Sequence, residues 1–473
     1  MATLSEALKS GTAAFGTSGL RGLVDDLTPE IVAAATRASL LHMRQNHGLA
    51  QGTPVWLGRD LRPSSPAIAT IVAQTATDMG HPVLDAGTVP TPALAFAASL
   101  ESEPAIMVTG SHIPFDRNGI KFYMPAGEAS KADEQAILSI PLDTVPHGSA
   151  DVKDVSEKVR EIYIARYAEP FANLMAGMRV GLYQHSAVGR DINGALFEKL
   201  GATVIPLGRS DDFVPIDTEA VGEKDRAQAH QWAQDHALDA LFSTDGDGDR
   251  PLLADETGTY FRGDALCILA GYFLGVDTMV TPVSSNTALE KSGWFAATSR
   301  TKIGSPHVIA AMDGQRGSVA GFEANGGFLL GSGLNKSGIS LAALPTRDVI
   351  LPALACIALA QKHGGKLFVL HGLLPARATA SDRLENIPTQ KSAAFIAALT
   401  HDPATVESLL PKGAEVASTD KTDGHRMVLQ DETIIHLRPS GNAPELRIYG
   451  EAKTQKEADD IVAATKSRLL HLL

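Results

Sequence analysis

The amino-acid sequence predicts an α/β protein of several domains, ending in a smaller α+β domain. The chain has 473 residues, more than one hydrophobic core usually serves, so three or four domains are expected. Short apolar runs alternate with longer segments of helical periodicity, as in parallel α/β units. After about residue 370 this pattern changes to alternating strands with two helices, which is typical of an α+β domain.

The α/β pattern occurs in three cycles of strand, helix and strand. In each cycle a buried apolar run ends in a turn that is rich in Gly, Ser or Pro, and a helix follows it. The first cycle has strands at 53–57 and 82–85 around a helix at 63–79. The second has strands at 178–183 and 203–206 around a helix at 191–200. The third has strands at 278–283 and 295–298, with a helix near residue 288.

The C-terminal segment predicts helices at 390–400 and 454–470. Plausible domain limits lie near 142–150 and 252–258.

Composition and charge exclude several classes of protein. The formal net charge of −13 argues against a nucleic-acid surface, although a local cluster of Arg and Lys can still bind a small anionic ligand. Two cysteines, Cys267 and Cys356, are too few for a disulfide scaffold. Neither a signal peptide nor a membrane-spanning apolar run is found. We therefore expect a cytoplasmic protein that does not bind membranes.

The clearest motif is STDGDGDR at 243–250, which follows a mostly apolar run. It presents Asp245, Asp247 and Asp249 on a loop whose glycines let the backbone curl around a hard divalent cation. A calcium EF-hand fits the aspartate spacing but needs Gly at its sixth position, where this sequence has Arg250. A solvated acidic turn without metal is the other alternative. Because Mg²⁺ often takes a phosphate oxygen as a ligand, a phosphate is expected nearby.

The second motif is TGSHIPFDRNGIK at 109–121, which follows a predicted buried strand at 105–108. Ser111 lies at the exit of this strand, where a turned loop can expose its hydroxyl group. A serine is a weak nucleophile without a base or a metal, and His112 and Lys121 are candidates to handle a proton or to stabilise phosphoryl charge. Asn118 and Gly119 are expected to form a turn. In isolation the segment would also fit an ordinary polar loop.

Three further loops carry groups that suit anions or sugars. FGTSGLRG at 15–22 and RPSGN at 438–442 combine hydroxyl groups, glycine and arginine. GFEANGG at 321–327 offers a carboxylate and an amide that can hydrogen-bond to sugar hydroxyls. Each loop alone also fits a common surface turn. The candidate binding residues are Thr17, Ser18, Arg21, Glu323, Asn325, Arg438, Ser440, Gly441 and Asn442.

Taken in order, the five loops resemble those of the α-D-phosphohexomutase superfamily over nearly the whole chain. The resemblance implies four domains around a central cleft, three α/β and one α+β. The domains would span 1–150 with the phosphoserine loop, 151–255 with the metal loop, 256–370 with the sugar loop, and 371–473 with a phosphate-binding loop. A hexose phosphate is the implied substrate.

The resemblance also implies roles for these residues. Ser111 would carry a phosphoryl group, and its phosphate would bind one Mg²⁺ together with Asp245, Asp247 and Asp249. Transfer would convert a hexose 1-phosphate into a 6-phosphate through a hexose 1,6-bisphosphate, which would also act as the activator. Arg21, Lys121, Arg250 and His112 would serve transfer, Glu323 and Asn325 would bind the sugar, and Arg438, Ser440 and Asn442 would bind its non-reacting phosphate. Thr17, Ser18 and Gly441 would also bind the substrate.

The motifs depart from the frequent family forms at two places. Phe322 and Asn325 change the Gly-Glu-X-Ser sugar loop, and Asn442 and Ala443 replace the Thr and Glu of the frequent SGTEP loop. Because of these departures, the sugar preference of any one subfamily is not carried over to this chain. The resemblance implies mannose and glucose phosphates as substrates, with a phosphoglucosamine mutase as the alternative and a non-catalytic sugar-phosphate sensor as a further one. The oligomeric state and the contacts near Lys302 and His307 stay open.

Overall fold

The computed structural model describes residues 3–16, 19–111, 113, 115–141, 148–336, 338–440 and 444–473. It has the predicted architecture of three α/β domains followed by an α+β domain, arranged around a central cleft. Within the described residues, no helix is both long and apolar enough to cross a membrane.

The first domain is a mixed sheet covered by helices on both faces. Its strand order is β1-β2-β6-β5-β3-β4-β8, with β7 paired to β6. The parallel strands β5, β3 and β4 end at one edge, while β6 runs antiparallel beside β5. The strands are β1 Ala14–Phe15, β2 Leu20–Leu23, β3 Val55–Arg59, β4 Val83–Thr88, β5 Ala105–Val108, β6 Arg117–Met124, β7 Gly127–Glu128 and β8 Val152–Asp154, and the helices are α1 Leu4–Ala7, α2 Pro29–Asn46, α3 Ser65–Asp78, α4 Thr91–Glu101 and α5 Lys131–Ser139.

The expected turn at Asn118 and Gly119 is wrong, because both residues lie within strand β6. There they pair with Gly22 and Arg21 of β2. The Asn118 amide donates to the hydroxyl groups of Ser64 and Ser65 at 2.8 and 3.0 Å. Tertiary pairing thus overrides the local turn preference of Asn-Gly.

The second and third domains repeat the α/β pattern. Their strand orders are β10-β9-β11-β12 and β14-β13-β15-β16-β19, and β17 and β18 form a separate hairpin. The second domain contains α6 Ser156–Ala168, β9 Arg179–Tyr183, α7 Arg190–Lys199, β10 Thr203–Leu207, α8 Glu223–His236, β11 Ala240–Thr244 and β12 Pro251–Ala254. The third contains α9 Gly263–Leu274, β13 Thr278–Pro282, α10 Ala288–Lys291, β14 Ala297–Thr301, α11 Ser305–Met312, β15 Val319–Phe322, β16 Phe328–Leu330, β17 Leu334–Lys336, β18 Ile339–Leu341, β19 Leu344–Asp348 and α12 Ile350–Lys362.

The fourth domain is an antiparallel sheet in the order β20-β24-β23-β22-β21 with helices packed on it. Besides the two predicted helices it contains a further short one, α14, which Asp402 caps through the backbone N–H of Ala404. Its elements are β20 Ala378–Leu384, α13 Thr389–His401, α14 Pro403–Leu409, β21 Val416–Asp420, β22 His425–Leu429, β23 Ile434–Pro439, β24 Leu446–Ala452 and α15 Gln455–Leu472.

The hydrophobic cores show which domains are held together. One continuous core joins the first three domains and includes Trp56, Tyr163, Phe242 and Phe322. The fourth domain has a core of its own and meets the third through polar contacts, such as Lys291 with Glu432 at 2.8 Å. Since apolar burial is the main stabilising term, this shared core holds the loops of the first three domains in a fixed arrangement, whereas the described residues of the fourth domain form a separate core cluster.

Candidate active site

Ser111 lies three residues beyond strand β5, in a left-handed backbone conformation with φ of 54°. A non-glycine residue rarely adopts this conformation unless its surroundings hold it there. The Ser111 side chain is buried, and its hydroxyl donates to Oδ2 of Asp245 at 2.9 Å. The two strongest sequence motifs, from two different domains, therefore meet at one hydrogen bond.

A buried ion pair from strand β3 supports the Ser111 loop. The Arg62 guanidinium donates to the backbone carbonyls of Ser111, Ile113 and Arg117 at 2.9, 2.5 and 2.8 Å. Its charge is balanced by Asp60 at 3.2 Å, and both side chains are at most 1% exposed. Gly110 is needed here, because a Cβ atom at that position would come within 2.5 Å of the Arg62 guanidinium.

Asp60 organises the same loop from its other side. Its carboxylate accepts hydrogen bonds from the Thr109 hydroxyl at 2.7 Å and from the Ser65 hydroxyl at 2.6 Å. Thr109 in turn accepts from the backbone N–H of Ser111 at 2.8 Å. Burial raises the pKa of Asp60, although Arg62 and these hydroxyl groups oppose the rise. Together these contacts fix where the Ser111 hydroxyl points.

The metal loop curls between β11 and β12. Oδ1 of Asp245 accepts the backbone N–H groups of Asp249 and Arg250 at 3.1 and 3.2 Å. Gly248, with φ of 69°, allows the tight turn that brings ligand oxygens of the three aspartates within 4.8 Å of one another. Thr91 of the first domain donates to Oδ2 of Asp247 at 2.8 Å. The described residues thus hold a buried carboxylate triad that could bind a metal ion.

The electrostatics of this triad fit a divalent cation. Burial, together with the charges of Asp247 and Asp249, raises the pKa of Asp245 well above its ordinary value. Burial would also raise the pKa of Asp247, but Lys121 and a hydrogen bond from Thr91 hold it below that value. Oδ1 of Asp247 and Oδ1 of Asp249 are buried and have no hydrogen-bond partner within the described part of the chain. Carboxylate oxygens of this kind are the ligands that Mg²⁺ takes.

Cationic side chains surround the triad. Lys121 of β6 lies 2.5 Å from Asp247 and 2.6 Å from Asp249. Arg250 approaches Asp245 and Asp249 at 3.9 and 3.8 Å. Such a group of cations can neutralise a phosphoryl group beside the serine.

Arg21 of β2 belongs to the same group of cations. Burial and the nearby guanidinium groups of Arg250 and Arg347 lower its pKa to about 10. Three guanidinium groups placed this closely repel one another, and a bound anion would relieve that repulsion.

Arg347, at the end of β19, was not predicted from the sequence. Its guanidinium is 2% exposed and lies 2.7 Å from Asp249 and 2.9 Å from Glu323. It therefore connects the metal loop to the predicted sugar loop. Asn325, also buried, turns its side-chain oxygen to the N–H of Gly327 at 3.0 Å. Both predicted sugar-loop residues are thus brought to the cleft rather than to a surface turn.

One predicted residue of the fourth domain, Arg438, lies beside a contact with the third domain. Arg438 lies 2.9 Å from Asp423, and Asp423 also accepts the backbone N–H of Ile303 at 2.9 Å. Ser440 is buried. His307 is half-buried at the start of α11, where burial and the nearby charge of Lys302 lower its pKa. Thr17, Ser18, His112, Gly441 and Asn442 lie outside the described residues.

Sequence reasoning missed Asp60, Arg62, Thr91 and Arg347 as parts of the site. Asp60 and Arg62 directly follow strand β3, and polar residues at the carboxyl ends of parallel strands are a usable signal. Arg347 and Thr91 stand outside any glycine-rich motif. Only the packing of domains brings them to the triad.

Comparisons with known proteins agree with this fold and site. Four domain families described as phosphoglucomutase/phosphomannomutase match in order: alpha/beta/alpha domain I at 12–143, domain II at 161–258, domain III at 262–376 and the C-terminal domain at 385–467. A phosphomannomutase from Salmonella muenchen is 46% identical over 460 residues, covering 96% of this chain and 95% of that protein. A phosphomannomutase from Sinorhizobium fredii is 42% identical over 461 residues, covering 95% and 97%.

Solved structures share the overall fold. A phosphoglucomutase/phosphomannomutase family protein from Burkholderia thailandensis has a TM-score of 0.75 at 19% identity, covering 99% of this chain and 98% of that one. Parafusin, a phosphoglucomutase from Paramecium, has a TM-score of 0.69 at 17% identity, covering 97% and 95%. Fold and site together define an enzyme, an intramolecular phosphotransferase. The chain belongs to the phosphoglucomutase/phosphomannomutase family.

Proposed function

We propose that this mutase interconverts the 1- and 6-phosphates of mannose, and of glucose as a second sugar, through a phosphoryl group on Ser111. The contact that carries the proposal is the hydrogen bond of 2.9 Å between the Ser111 hydroxyl and Asp245 of the metal loop. The contact supports the proposal because it joins the serine hydroxyl to the carboxylate triad, which is itself surrounded by cationic side chains. The sugar preference rests on the phosphomannomutases at 46% and 42% identity, since a phosphoglucosamine mutase from Carboxydothermus hydrogenoformans is 27% identical.

In the proposed reaction, phosphorylated Ser111 donates its phosphoryl group to a sugar hydroxyl. The bond between phosphorus and the serine oxygen breaks, a bond to the sugar oxygen forms, and the proton of the sugar hydroxyl passes to a base. Lys121 and His112 are the candidates for that base, and Lys121, Arg250 and Arg21 stabilise charge on the transferred group. The resulting hexose 1,6-bisphosphate then returns its other phosphoryl group to Ser111. Added bisphosphate acts as an activator because it phosphorylates a serine that has lost its phosphate.

Asp245, Asp247 and Asp249, together with the Ser111 phosphate, would hold one Mg²⁺, which would draw electron density from the phosphoryl oxygens as a Lewis acid. The buried Oδ1 atoms of Asp247 and Asp249, which accept no hydrogen bond from the described residues, support this assignment.

The remaining loops are proposed to bind the substrate. Glu323 and Asn325 orient the sugar hydroxyls, and Arg347 holds the Glu323 carboxylate in place. Binding of the non-reacting phosphate is assigned to Thr17, Ser18, Arg438, Ser440, Gly441 and Asn442. Because the bisphosphate must turn over without escaping, the fourth domain, with its separate core, would close over the cleft. We also propose domain limits at 150, 255 and 370, although strand β8, Val152–Asp154, follows the first limit and pairs with β4 of the first sheet.

The test is a steady-state assay with Mg²⁺ and a trace of hexose bisphosphate. It compares kcat/KM for the 1-phosphates of mannose, glucose and glucosamine. The proposal expects conversion of mannose and glucose substrates to 6-phosphates, with glucosamine phosphate the poorest of the three. Ser111→Ala should abolish conversion, whereas Ser408→Ala, at an exposed helical position of the fourth domain, should not. Preferred turnover of glucosamine phosphate would contradict the sugar assignment, and full activity of Ser111→Ala would contradict the phosphoserine.

A further inference from the structure

A second group of potential metal ligands lies in the first domain, outside the candidate active site. Its members are His42, His47 and Asp133. Nε2 of His42 and Nε2 of His47 each lie 2.7 Å from Oδ1 of Asp133, and the two nitrogens are 3.3 Å apart. Nothing in the proposed reaction uses these residues.

The local backbone explains why the two imidazoles converge. Helix α2 ends at Asn46, and His47 leaves helical geometry with φ of −121° and ψ of 14°. A residue five positions on from His42 would point away from it in a continued helix, but this break turns His47 back toward His42. Asp133 stands in the first turn of α5, where Ser130 donates to its other oxygen from both its hydroxyl and its backbone N–H, at 2.6 and 2.8 Å. The carboxylate is thereby held with Oδ1 toward the histidines.

We propose that His42, His47 and Asp133 form a binding site for a transition-metal ion, with Zn²⁺ as the preferred ion and water as its fourth ligand. Two imidazole nitrogens and a carboxylate oxygen are a donor set that suits Zn²⁺ and does not suit Mg²⁺.

The distances between the donor atoms support this assignment. Tetrahedral bonds of about 2.05 Å separate neighbouring ligands by about 3.3 Å, which is the distance between the two histidine nitrogens. The two Nε2 atoms and Oδ1 of Asp133 lie on a circle of radius about 1.7 Å. An ion on the axis of this circle, about 1.2 Å above the plane of the three atoms, would be about 2.1 Å from each of them. Each histidine nitrogen lies about 0.6 Å closer to Oδ1 of Asp133 than tetrahedral coordination requires. The carboxylate would therefore move back by about that distance when an ion replaces the two hydrogen bonds.

Burial also favours a bound ion. The side chains of His42, Asp133 and His47 are 6%, 12% and 25% exposed, so the site is shielded but open to water on the His47 side.

The test measures metal content and coordination rather than mutase activity. Full-length protein is stripped with a chelator, loaded with Zn²⁺ or Co²⁺, separated by gel filtration and analysed for metal. All variants carry Asp247→Asn, so that the aspartate triad does not compete for the ion. We expect about one Zn²⁺ per chain, a rise in the unfolding temperature on loading, and the intense visible bands of four-coordinate Co²⁺.

His47→Gln, at the most exposed ligand, should lower Zn²⁺ affinity by more than about 10-fold, while the exposed His363→Gln on the third domain should leave it unchanged. His42→Gln/His47→Gln should remove the Co²⁺ bands entirely. If the parent protein retains no Zn²⁺, or if His47→Gln retains as much as His363→Gln, the three residues form only a hydrogen-bonded cluster and the proposal is overturned.

Discussion

Replacing Arg62 with methionine should destabilise the first domain and disable the Ser111 loop. The substitution removes hydrogen bonds to three backbone carbonyls and leaves the Asp60 carboxylate buried without its counter-ion. Removing one partner of a buried ion pair costs about 3–5 kcal/mol. The hydroxyl groups of Ser65 and Thr109 and the backbone N–H of Arg62 would still donate to Asp60, so the lower end, about 3 kcal/mol, is expected.

Activity should fall as well, because the left-handed conformation of Ser111 is held by this contact. A displacement of about 1 Å at a reacting atom can cost about 100-fold in rate, and we expect a loss of at least that size in kcat/KM. The matched control is Arg59→Met, at the last residue of strand β3 and three positions before Arg62. Arg59 pairs with Asp85 at 3.0 Å, but both side chains are about a quarter exposed, so its loss should cost no more than about 1 kcal/mol.

The assay combines urea-induced unfolding with kcat/KM and with the fraction of Ser111 that carries phosphate. Arg62→Lys keeps the charge but lacks the planar guanidinium that donates to the backbone carbonyls. Its free energy of unfolding and its kcat/KM should therefore lie between those of wild type and Arg62→Met. If Arg62→Met unfolds within about 1 kcal/mol of Arg59→Met and keeps wild-type activity, the pair does not hold the serine loop.

Three further predictions follow from contacts and pKa shifts. Arg347→Met and Glu323→Gln should be non-additive in unfolding free energy by at least about 1 kcal/mol, because their side chains pair at 2.9 Å; additive effects would refute the pairing. Thr91→Val, which removes a donor to a metal-loop carboxylate, should raise the Mg²⁺ concentration for half-maximal activity about 10-fold, and an unchanged Mg²⁺ titration would contradict that role. Burial lowers the pKa of both His185 and His436 from 6.5 to about 4. Between these two pKa values the unfolded chain binds more protons than the folded chain, so the free energy of unfolding should fall as pH drops from about 6.5 to about 4. His185→Gln/His436→Gln should show a smaller fall in unfolding temperature between about pH 7 and about pH 5, and an equal fall would assign the effect to other groups.

The fold was largely predictable because most of its helices and strands correspond to local patterns in the sequence. Strand β5 at Ala105–Val108 coincides with the predicted run, since a short apolar segment before a glycine-rich loop is a clear strand signal. Most other predicted elements are shifted by one to three residues, as helix and strand ends depend on capping and pairing. Helix α14, Pro403–Leu409, was missed because seven residues are too few to show a helical period.

The candidate site was predictable only where glycine, charge and hydroxyl groups occur together in one loop. Ser111 and the three aspartates belong to such loops, and the structure brings them together. Arg62 was hidden because a buried arginine near a strand end looks like any surface cation in the sequence. Arg347 lies in the third domain and reaches Asp249 across 98 positions of the chain, so its role is set by packing between domains and by no local pattern.

The central claim is that Ser111 carries the transferred phosphoryl group, and a phosphate-exchange measurement tests it most directly. Enzyme carrying isotopically labelled phosphate on Ser111 is mixed with unlabelled hexose 1-phosphate and Mg²⁺, quenched at short times, and analysed by mass spectrometry of the Ser111 peptide. We predict that the label leaves Ser111 and enters sugar phosphate at least as fast as steady-state turnover. Label that stays on Ser111 through many turnovers, or turnover by enzyme that never carries phosphate there, would contradict the account.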